Sequence, residues 1–302
     1  MVDLHMHSFF SSDGEFSPEQ IVRGCAEKGI RLMALTDHNT VAGVDRALAA
    51  AETEGISCLP ALEIDCMHKG VSLHILGYGI DHRAAAFQAI EQQLRTQLSA
   101  VSLKRKQAFE ELGFYLEESR LQALSAKSFW PEEWPPEFFA QLLFASEEYA
   151  SHPLLLPYRP GGARSVNPLA CFYWDFCGQG SPCFVPIEYP EAEYIISLIH
   201  SAGGIAVLAH PGVNLNGNES LFPEIIELGI DGVEAYSSYH KLETSIYYAR
   251  ETRKHGVFVS CGSDYHGYVK PAISLGGVEF TDDVEKCAVQ SGLLDVFSDR
   301  MK

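Results

Sequence analysis

The sequence predicts an α/β protein in which a mostly parallel sheet, closed or nearly closed as a barrel, is interrupted by an inserted, mainly helical subdomain. Three observations point there. Apolar runs of strand length alternate with helix-period segments over residues 2 to about 80, and the alternation returns after about residue 188. The stretch between, roughly 92 to 187, drops that rhythm for charged, aromatic and proline-rich sequence. Histidines and carboxylates recur at the ends of the strand-like runs, where an interior strand would carry Val or Ile.

In chain order, VDLHMH reads as the first strand. A polar loop leads into SPEQIVRGCAEKG, where Ser17 caps a helix, Pro18 suits its first turn, Gln20 completes a capping-box spacing and Gly29 ends it. RLMALT is the second strand, followed by the loop from Asp37 to Asn39 and a helix over about 43 to 54. SCLPALE and VSLHILGYGI are the third and fourth strands. In the second half, helices over about 190 to 202, 222 to 229 and 241 to 255 precede the strands GIAVLAH, GVEAYS and VFVSCGSD. Seven strands alternating with helices predict the parallel sheet. The middle segment opens as a charged helix, EQQLRTQLSAVSLKRKQAFEELGF, passes through SFWPEEWPPEFF and includes the turn-rich YRPGGARSVNP. The expected organisation is a first barrel half over 1–91, an insertion over 92–187 that recognises substrate or acts as a lid, and a second barrel half over 188–302.

At 302 residues the chain can bury a core without disulfides. Its 22 basic and 40 acidic residues give a formal charge of -18, which argues against a sequence-independent grip on duplex DNA. An anionic substrate then needs local positive charge, and bound metal supplies it without basic side chains. The eight cysteines form no C-x-x-C pair and read as reduced thiols of a cytoplasmic protein. The opening residues lack a basic and apolar leader, and no run approaches the ~20 apolar residues of a membrane span. A soluble protein without a membrane partner is expected.

His5, His7, Asp37, His38, Glu63, His210, Glu234, Asp264 and His266 fall at strand ends, with His74 inside the fourth strand. In a parallel barrel such ends share one face, and alternate strand residues share a side, which lets His5 and His7 reach one point. Each residue alone has a plainer reading: His74 lies between apolar neighbours as a hydrogen-bonded core histidine, and Asp13 in SSDG forms a turn. Burying all of them unpaired would cost several kcal/mol each, and metal removes that cost. Six imidazoles (His5, His7, His38, His74, His210, His266) and three carboxylates (Asp13, Glu63, Asp264) exceed what one tetrahedral ion takes. They suit two or three divalent ions, Mn, Fe or Zn, sharing a bridging carboxylate. Such a cluster can hold a phosphate, with a metal-bridging hydroxide as nucleophile. His68, His82, His152, His200, His240 and His255 lie in helices or loops and read as bystanders.

Strung in this order, H-x-H at 5–7, SDG at 12–14, TDHNTVAG at 36–43, Glu63, His74, AHPG at 209–212 and GSDYH at 262–266 closely resemble the PHP (polymerase and histidinol phosphatase) family. The resemblance covers both barrel halves. It implies a distorted (β/α)7 barrel with a trinuclear metal site. One ion would take His5, His7, Glu63 and Asp264, a second would share Glu63 and add His74 and His210, and a third would take Asp13, His38 and His266. His266 and Asp37 are the catalytic candidates, Asp37 handling protons or supporting the adjacent ligand, while Glu234 is assigned packing or support.

The insertion resembles that of stand-alone family members acting on nucleotides, including nucleoside 3',5'-bisphosphate phosphatases and 5'-3' exoribonucleases. KRKQAFEELGF, FYWDFCGQGSPCFVP and SLIHSAGGIAVLAHPG carry the likeness. It departs at residues 135–140, PPEFFA, where relatives carry Arg-Pro-His before an apolar residue and Ala. The Arg that would recognise a second phosphate is missing. Arg159 and Arg164 in a Gly-flanked loop are candidates to replace it, against a plain reading as surface arginines of a turn. Arg105 either faces the pocket or is helical surface charge, and Phe129, Trp130, Trp134 and Phe138 either stack a base or form the subdomain core. The expected function is a metal-dependent phosphoesterase acting on a phosphomonoester of a nucleotide, such as a nucleoside 3',5'-bisphosphate, or of a short oligonucleotide end. Histidinol-phosphate phosphatase and 5'-3' exonuclease are the enzyme alternatives, and a non-catalytic metal-binding regulatory module is the reading from another class.

Overall fold

A computed structural model describes residues 1–298. Its strands form two sheets. In the first, β1 (Val2–Asp3), β2 (Leu32–Ala34) and β3 (Ser57–Leu59) pair in parallel in that order. The second runs β4 (Ala61–His68), β5 (Val71–Tyr78), β6 (Ile205–Leu208), β7 (Gly232–Ser237) and β8 (Phe258–Gly262).

Backbone hydrogen bonds join the two sheets along two seams. Beyond β1, Leu4 N donates to Cys261 O at 3.2 Å, Asp264 N to His5 O at 2.8 Å and His7 N to Tyr265 O at 2.9 Å. Beyond β2, Asn39 N donates to Glu63 O at 2.7 Å and Glu63 N to Asp37 O at 3.2 Å. Main-chain pairing therefore brings residues 5–7 against 264, and 37–39 against 63. Close approach at the first seam needs Gly262, where a Cβ would lie 2.3 Å from that of His5 and 2.4 Å from Glu234 Oε1.

Two strand expectations are corrected. SCLPALE is not one strand: Pro60 has no N–H to give a ladder, and β3 stops at Leu59 before β4 begins in the other sheet. Nor is the sheet parallel throughout, because β5 runs antiparallel to both β4 and β6. The link between β4 and β5 is only Lys69 and Gly70, with φ of 49° and 80°, and so short a turn makes a hairpin rather than a parallel crossover. The antiparallel register sets Asp65 opposite His74. From β6 to β8 the pairing is parallel, as expected.

The helices are α1 (Pro18–Glu27), α2 (Val44–Glu54), α3 (Ala85–Glu111), α4 (Glu118–Ser125), α5 (Pro136–Ala145), α6 (Pro168–Phe172), α7 (Ala192–Ser201), α8 (Pro211–Asn214), α9 (Phe222–Glu227), α10 (Leu242–Lys254) and α11 (Asp283–Phe297). The capping box of α1 forms: Gln20 N donates to Ser17 Oγ and Ser17 N to Gln20 Oε1. One core collects apolar side chains of both sheets, from Leu4 and Leu32 through Ile75 and Val207 to Val233. A second core draws only on the middle of the chain, including Phe109, Phe114, Trp134, Phe139, Phe172 and Phe176. The middle segment is anchored back to the loop after β1 where Trp130 Nε1 donates to Phe10 O at 2.6 Å. All eight cysteines are free thiols. Among the described residues no helix is long and apolar enough to cross a membrane.

Candidate metal centre

The two seams deliver the ligand-type side chains to one place. His5 Nε2 lies 3.1 Å from Glu63 Oε2 and 3.1 Å from Asp264 Oδ1, and His7 Nε2 lies 3.3 Å and 2.9 Å from the same two oxygens. These four side chains are almost wholly buried. The other Glu63 oxygen faces His74 Nδ1 at 2.9 Å and His210 Nε2 at 3.2 Å. Glu63 therefore stands between two sets of imidazoles. A third set forms at the edge, where His266 Nε2 meets Asp13 Oδ2 at 3.1 Å and the His7 ring stacks on those of His266 and His38, centroids 4.1 Å and 4.5 Å apart.

Donor atoms lie within 4.8 Å of one another in four overlapping groups: His5, His7, Glu63 and Asp264; Glu63, His74 and His210; His7, Asp13, His38 and His266; and His38, Asp65 and His74. The chemistry of these atoms fits a divalent ion. His5 Nε2, His7 Nε2, Asp13 Oδ1, His38 Nδ1, Glu63 Oε2 and Asp264 Oδ1 are all buried with no hydrogen-bond partner, a costly arrangement for atoms with nothing to bind. Burial pushes the His7 imidazole down to about 4, helped by His266 and His38 beside it, so the ring is the neutral ligand form at pH 7. For Glu63, burial opposes ionisation, but His5, His38 and His74 outweigh it and hold the carboxyl well below its ordinary range.

A surrounding layer aims these rings. Glu234 accepts from His5 Nδ1 at 3.0 Å and, on its other oxygen, from His210 N at 3.0 Å. Ser11 Oγ contacts His7 Nδ1 at 3.0 Å and donates to Asp37 Oδ1 at 3.1 Å. Asp37 also accepts from Ser8 N and Ser8 Oγ, and burial pushes its carboxyl up to about 6. It sits behind Ser11 rather than among the unpartnered donors. His266 Nδ1 bonds the Asp264 carbonyl at 2.8 Å, and His210 Nδ1 faces Asn214 Oδ1 at 2.6 Å. Backbone strain gathers here too. Of four non-glycine residues with positive φ among those described, Asn39, His210 and Asp264 carry or flank the cluster, at 57°, 23° and 54°.

Two participants escaped the sequence. Asp65 Oδ1 lies 3.1 Å from His74 Nε2, a pairing that only the antiparallel register creates. Lys270 Nζ lies 3.2 Å from Asp264 Oδ2 and 3.2 Å from His266 Nε2, returned there by the turn over Gly267–Val269. Burial works against its charge, but Asp264, Tyr239 and Asp13 hold the ammonium well above the usual lysine range.

The arginines have separate settings. Arg105 is buried, donates through Nη1 to Trp134 O at 2.6 Å and keeps Nε unpartnered. Arg159 donates to Phe144 O and Leu143 O at the end of α5, and Arg164 pairs with Asp175 at 2.9 Å. Trp134 belongs to the second core. Phe129 packs against Phe10 and under Arg95. Phe138 lines a cavity of about 440 Å³ beside Asp13, together with Phe9, Lys127, Glu137 and Tyr268.

Comparison with known proteins agrees with this chemistry. Residues 3–150 match the PHP domain family. A 5'-3' exoribonuclease of Haemophilus influenzae is 30% identical over 269 residues, 87% of this chain and 89% of that protein. A 3',5'-nucleoside bisphosphate phosphatase of Chromobacterium violaceum is 29% identical, over 92% of this chain and 91% of its own length. A phosphoribosyl 1,2-cyclic phosphate 1,2-diphosphodiesterase of Eggerthella lenta is also 29% identical, over 88% and 94%. Among solved structures, a Bifidobacterium adolescentis protein described as a metal-dependent phosphoesterase superimposes with a TM-score of 0.70 at 25% identity, covering 96% of this chain and 95% of that one.

Proposed function

This chain belongs to the PHP family of metal-dependent phosphoesterases, and from that premise we propose that it hydrolyses a phosphomonoester of a nucleotide, such as a nucleoside 3',5'-bisphosphate, or of a short oligonucleotide end. In this reading His5, His7, Glu63 and Asp264 hold one divalent ion, Glu63 with His74 and His210 a second, and Asp13, His38 and His266 a third, each set drawing on one group of clustered donors. Mn, Fe and Zn all suit such ligands. Bound there, the ions supply positive charge for the phosphoryl oxygens and acidify the attacking water. Glu234 and Ser11 keep His5 and His7 aimed, and Asp37 acts as a positioning residue through Ser8 and Ser11. His266, with Nδ1 committed to the Asp264 carbonyl, offers Nε2 to bind an ion or take up a proton. Arg105 and Arg159, each bonded to main-chain carbonyls but keeping a buried Nε without a partner, are the candidate phosphate contacts from the middle segment, while Arg164 is paired with Asp175. The two backbone seams that join the sheets support the reading as a distorted (β/α)7 barrel, and the second core supports that of residues 92–187 as a subdomain.

The observation that carries the nucleotide reading is the 440 Å³ cavity beside Asp13, sized for one small ligand and walled by Phe9 and Phe138, against which a base can pack. The test is phosphate release by the purified protein with Mn from adenosine 3',5'-bisphosphate, 5'-phosphorylated RNA, phosphoribosyl 1,2-cyclic phosphate and histidinol phosphate, each with and without chelator. Chelator-sensitive release fastest from the bisphosphate or the RNA end is expected. Preference for either non-nucleotide substrate overturns the reading.

A further inference from the structure

The cavity beside Asp13 contains a carboxylate that the hydrolysis itself does not use. Glu137 follows Pro136 in the first turn of α5 and points into that cavity, with only 8% of the residue exposed. Among the described residues no side chain bonds its carboxylate, and only its own amide at the helix N-terminus faces it. The cations nearest in effect are already committed, Lys270 to Asp264 and His266 and Arg105 to the Trp134 carbonyl. Burial, with Asp13 close by, pushes the carboxyl up to about 7. The single bond from its own amide leaves acceptor capacity on a carboxyl that lines the cavity, where a ligand can supply a further donor.

We propose that Glu137 recognises a ribose hydroxyl of the substrate, so that the site prefers ribonucleotides to their 2'-deoxy counterparts. The inference rests on the nucleotide reading and narrows it. A second phosphate would bring more negative charge beside Asp13, whereas a hydroxyl is neutral and pairs with the Glu137 carboxyl in either protonation form. The donor must also lie near the scissile phosphate, because Asp13 and Glu137 line the same cavity. In a nucleotide the sugar is the group one linkage away, and its 2'-hydroxyl is the donor that remains when both the 3' and 5' positions carry phosphate.

The experiment crosses substrate with variant. kcat/KM is measured for adenosine 3',5'-bisphosphate and for its 2'-deoxy form, using wild type, Glu137→Ala and Glu137→Gln, with metal content determined for each. The wild type should favour the ribonucleotide by roughly 10- to 100-fold, the worth of one hydrogen bond to a charged group. Glu137→Ala should lower the ribonucleotide value by about that factor, leave the deoxy value nearly unchanged and bring the ratio close to one. Glu137→Gln, which keeps one acceptor oxygen, should recover part of the preference. Chelator-treated protein should likewise bind adenosine more tightly than 2'-deoxyadenosine in calorimetry. Equal turnover of the two substrates by wild type, or an equal loss on both in Glu137→Ala, overturns the proposal and leaves the phosphatase reading standing. Turnover of neither by the metal-loaded wild type removes the nucleotide reading and this inference with it.

Discussion

Glu234 grips His5 through Nδ1 at 3.0 Å, and it does so from β7 of the second sheet, while the strand that leads to the histidine belongs to the first. Its second oxygen takes the His210 backbone N–H, so one carboxylate holds the His5 ring and the main chain that carries His210. Glu234→Gln preserves the volume but places an amide nitrogen where an acceptor is needed. Loss of about 10- to 100-fold in metal affinity is expected, as for other carboxylates that orient ligating histidines. Competition titration against a chelator measures it, and unchanged affinity would show that packing alone fixes the ring.

His7 offers its Nε2 to two of the donor groups at once. His7→Ala should therefore reduce bound metal by at least one ion and abolish most turnover, while circular dichroism keeps the wild-type signature. A variant with full metal content and full activity would refute the ligand assignment.

Lys270 donates to His266 Nε2, the nitrogen that also faces Asp13. An ammonium and a divalent ion repel one another at such range, so Lys270→Ala should raise affinity for the ion on Asp13, His38 and His266 by several-fold. Calorimetric titration of the metal-free protein decides the sign. A fall in affinity would mean that Lys270 positions Asp264 and His266 rather than opposing the ion.

His240 is a buried bystander whose Nδ1 bonds the Ala235 carbonyl while Nε2 accepts from Gly212 N. Burial lowers its imidazole to about 4, so the folded state favours the neutral ring. With the folded value depressed below the unfolded one, its stabilising contribution is present above about pH 6.5 and is lost as pH falls toward 4, on the order of 2–3 kcal/mol. Urea unfolding of chelator-treated protein between pH 4 and 7 should show a shallower slope in His240→Gln than in wild type, and parallel slopes would discount the histidine.

Phe109 lies at the centre of the second core, its ring stacked on Phe139 at 4.8 Å and Phe172 at 5.6 Å. Phe109→Ala should cost about 3–5 kcal/mol. If the middle segment is a subdomain with its own core, limited proteolysis should then cut within 92–187 while metal content is retained. Cleavage spread evenly along the chain would favour a single cooperative unit.

Much of the site was legible because its residues sit where local pattern and chemistry conflict. His5, His7 and Glu63 interrupt apolar strands, and no packing argument places them there unless something binds them. Pro60 was also legible as a strand breaker, yet SCLPALE reads as one run unless proline is weighed above hydrophobicity. Asp65 was hidden for a different reason. Its partnership with His74 depends on the direction of β5, and an alternating β and α rhythm argues for parallel strands until the two-residue turn at Lys69 and Gly70 is noticed. Lys270 lies in irregular chain with no period to read, and its place is set by the short turn after His266. The arginines of the middle segment could be read as phosphate ligands from their loop, but only tertiary contacts reveal that Arg159 is tied to the end of α5.

The seam between residues 5 and 264 also orders events in time. During synthesis His5 and His7 precede Asp264, so the oxygen they face and the backbone bond from Asp264 N to His5 O arrive only after the whole segment between them has been made. His38, Asp65 and His74 all come from the first part of the chain, whereas the donor set of His5, His7 and Glu63 is closed by Asp264. The complete cluster thus requires both segments in place, and a fragment lacking Asp264 cannot acquire it.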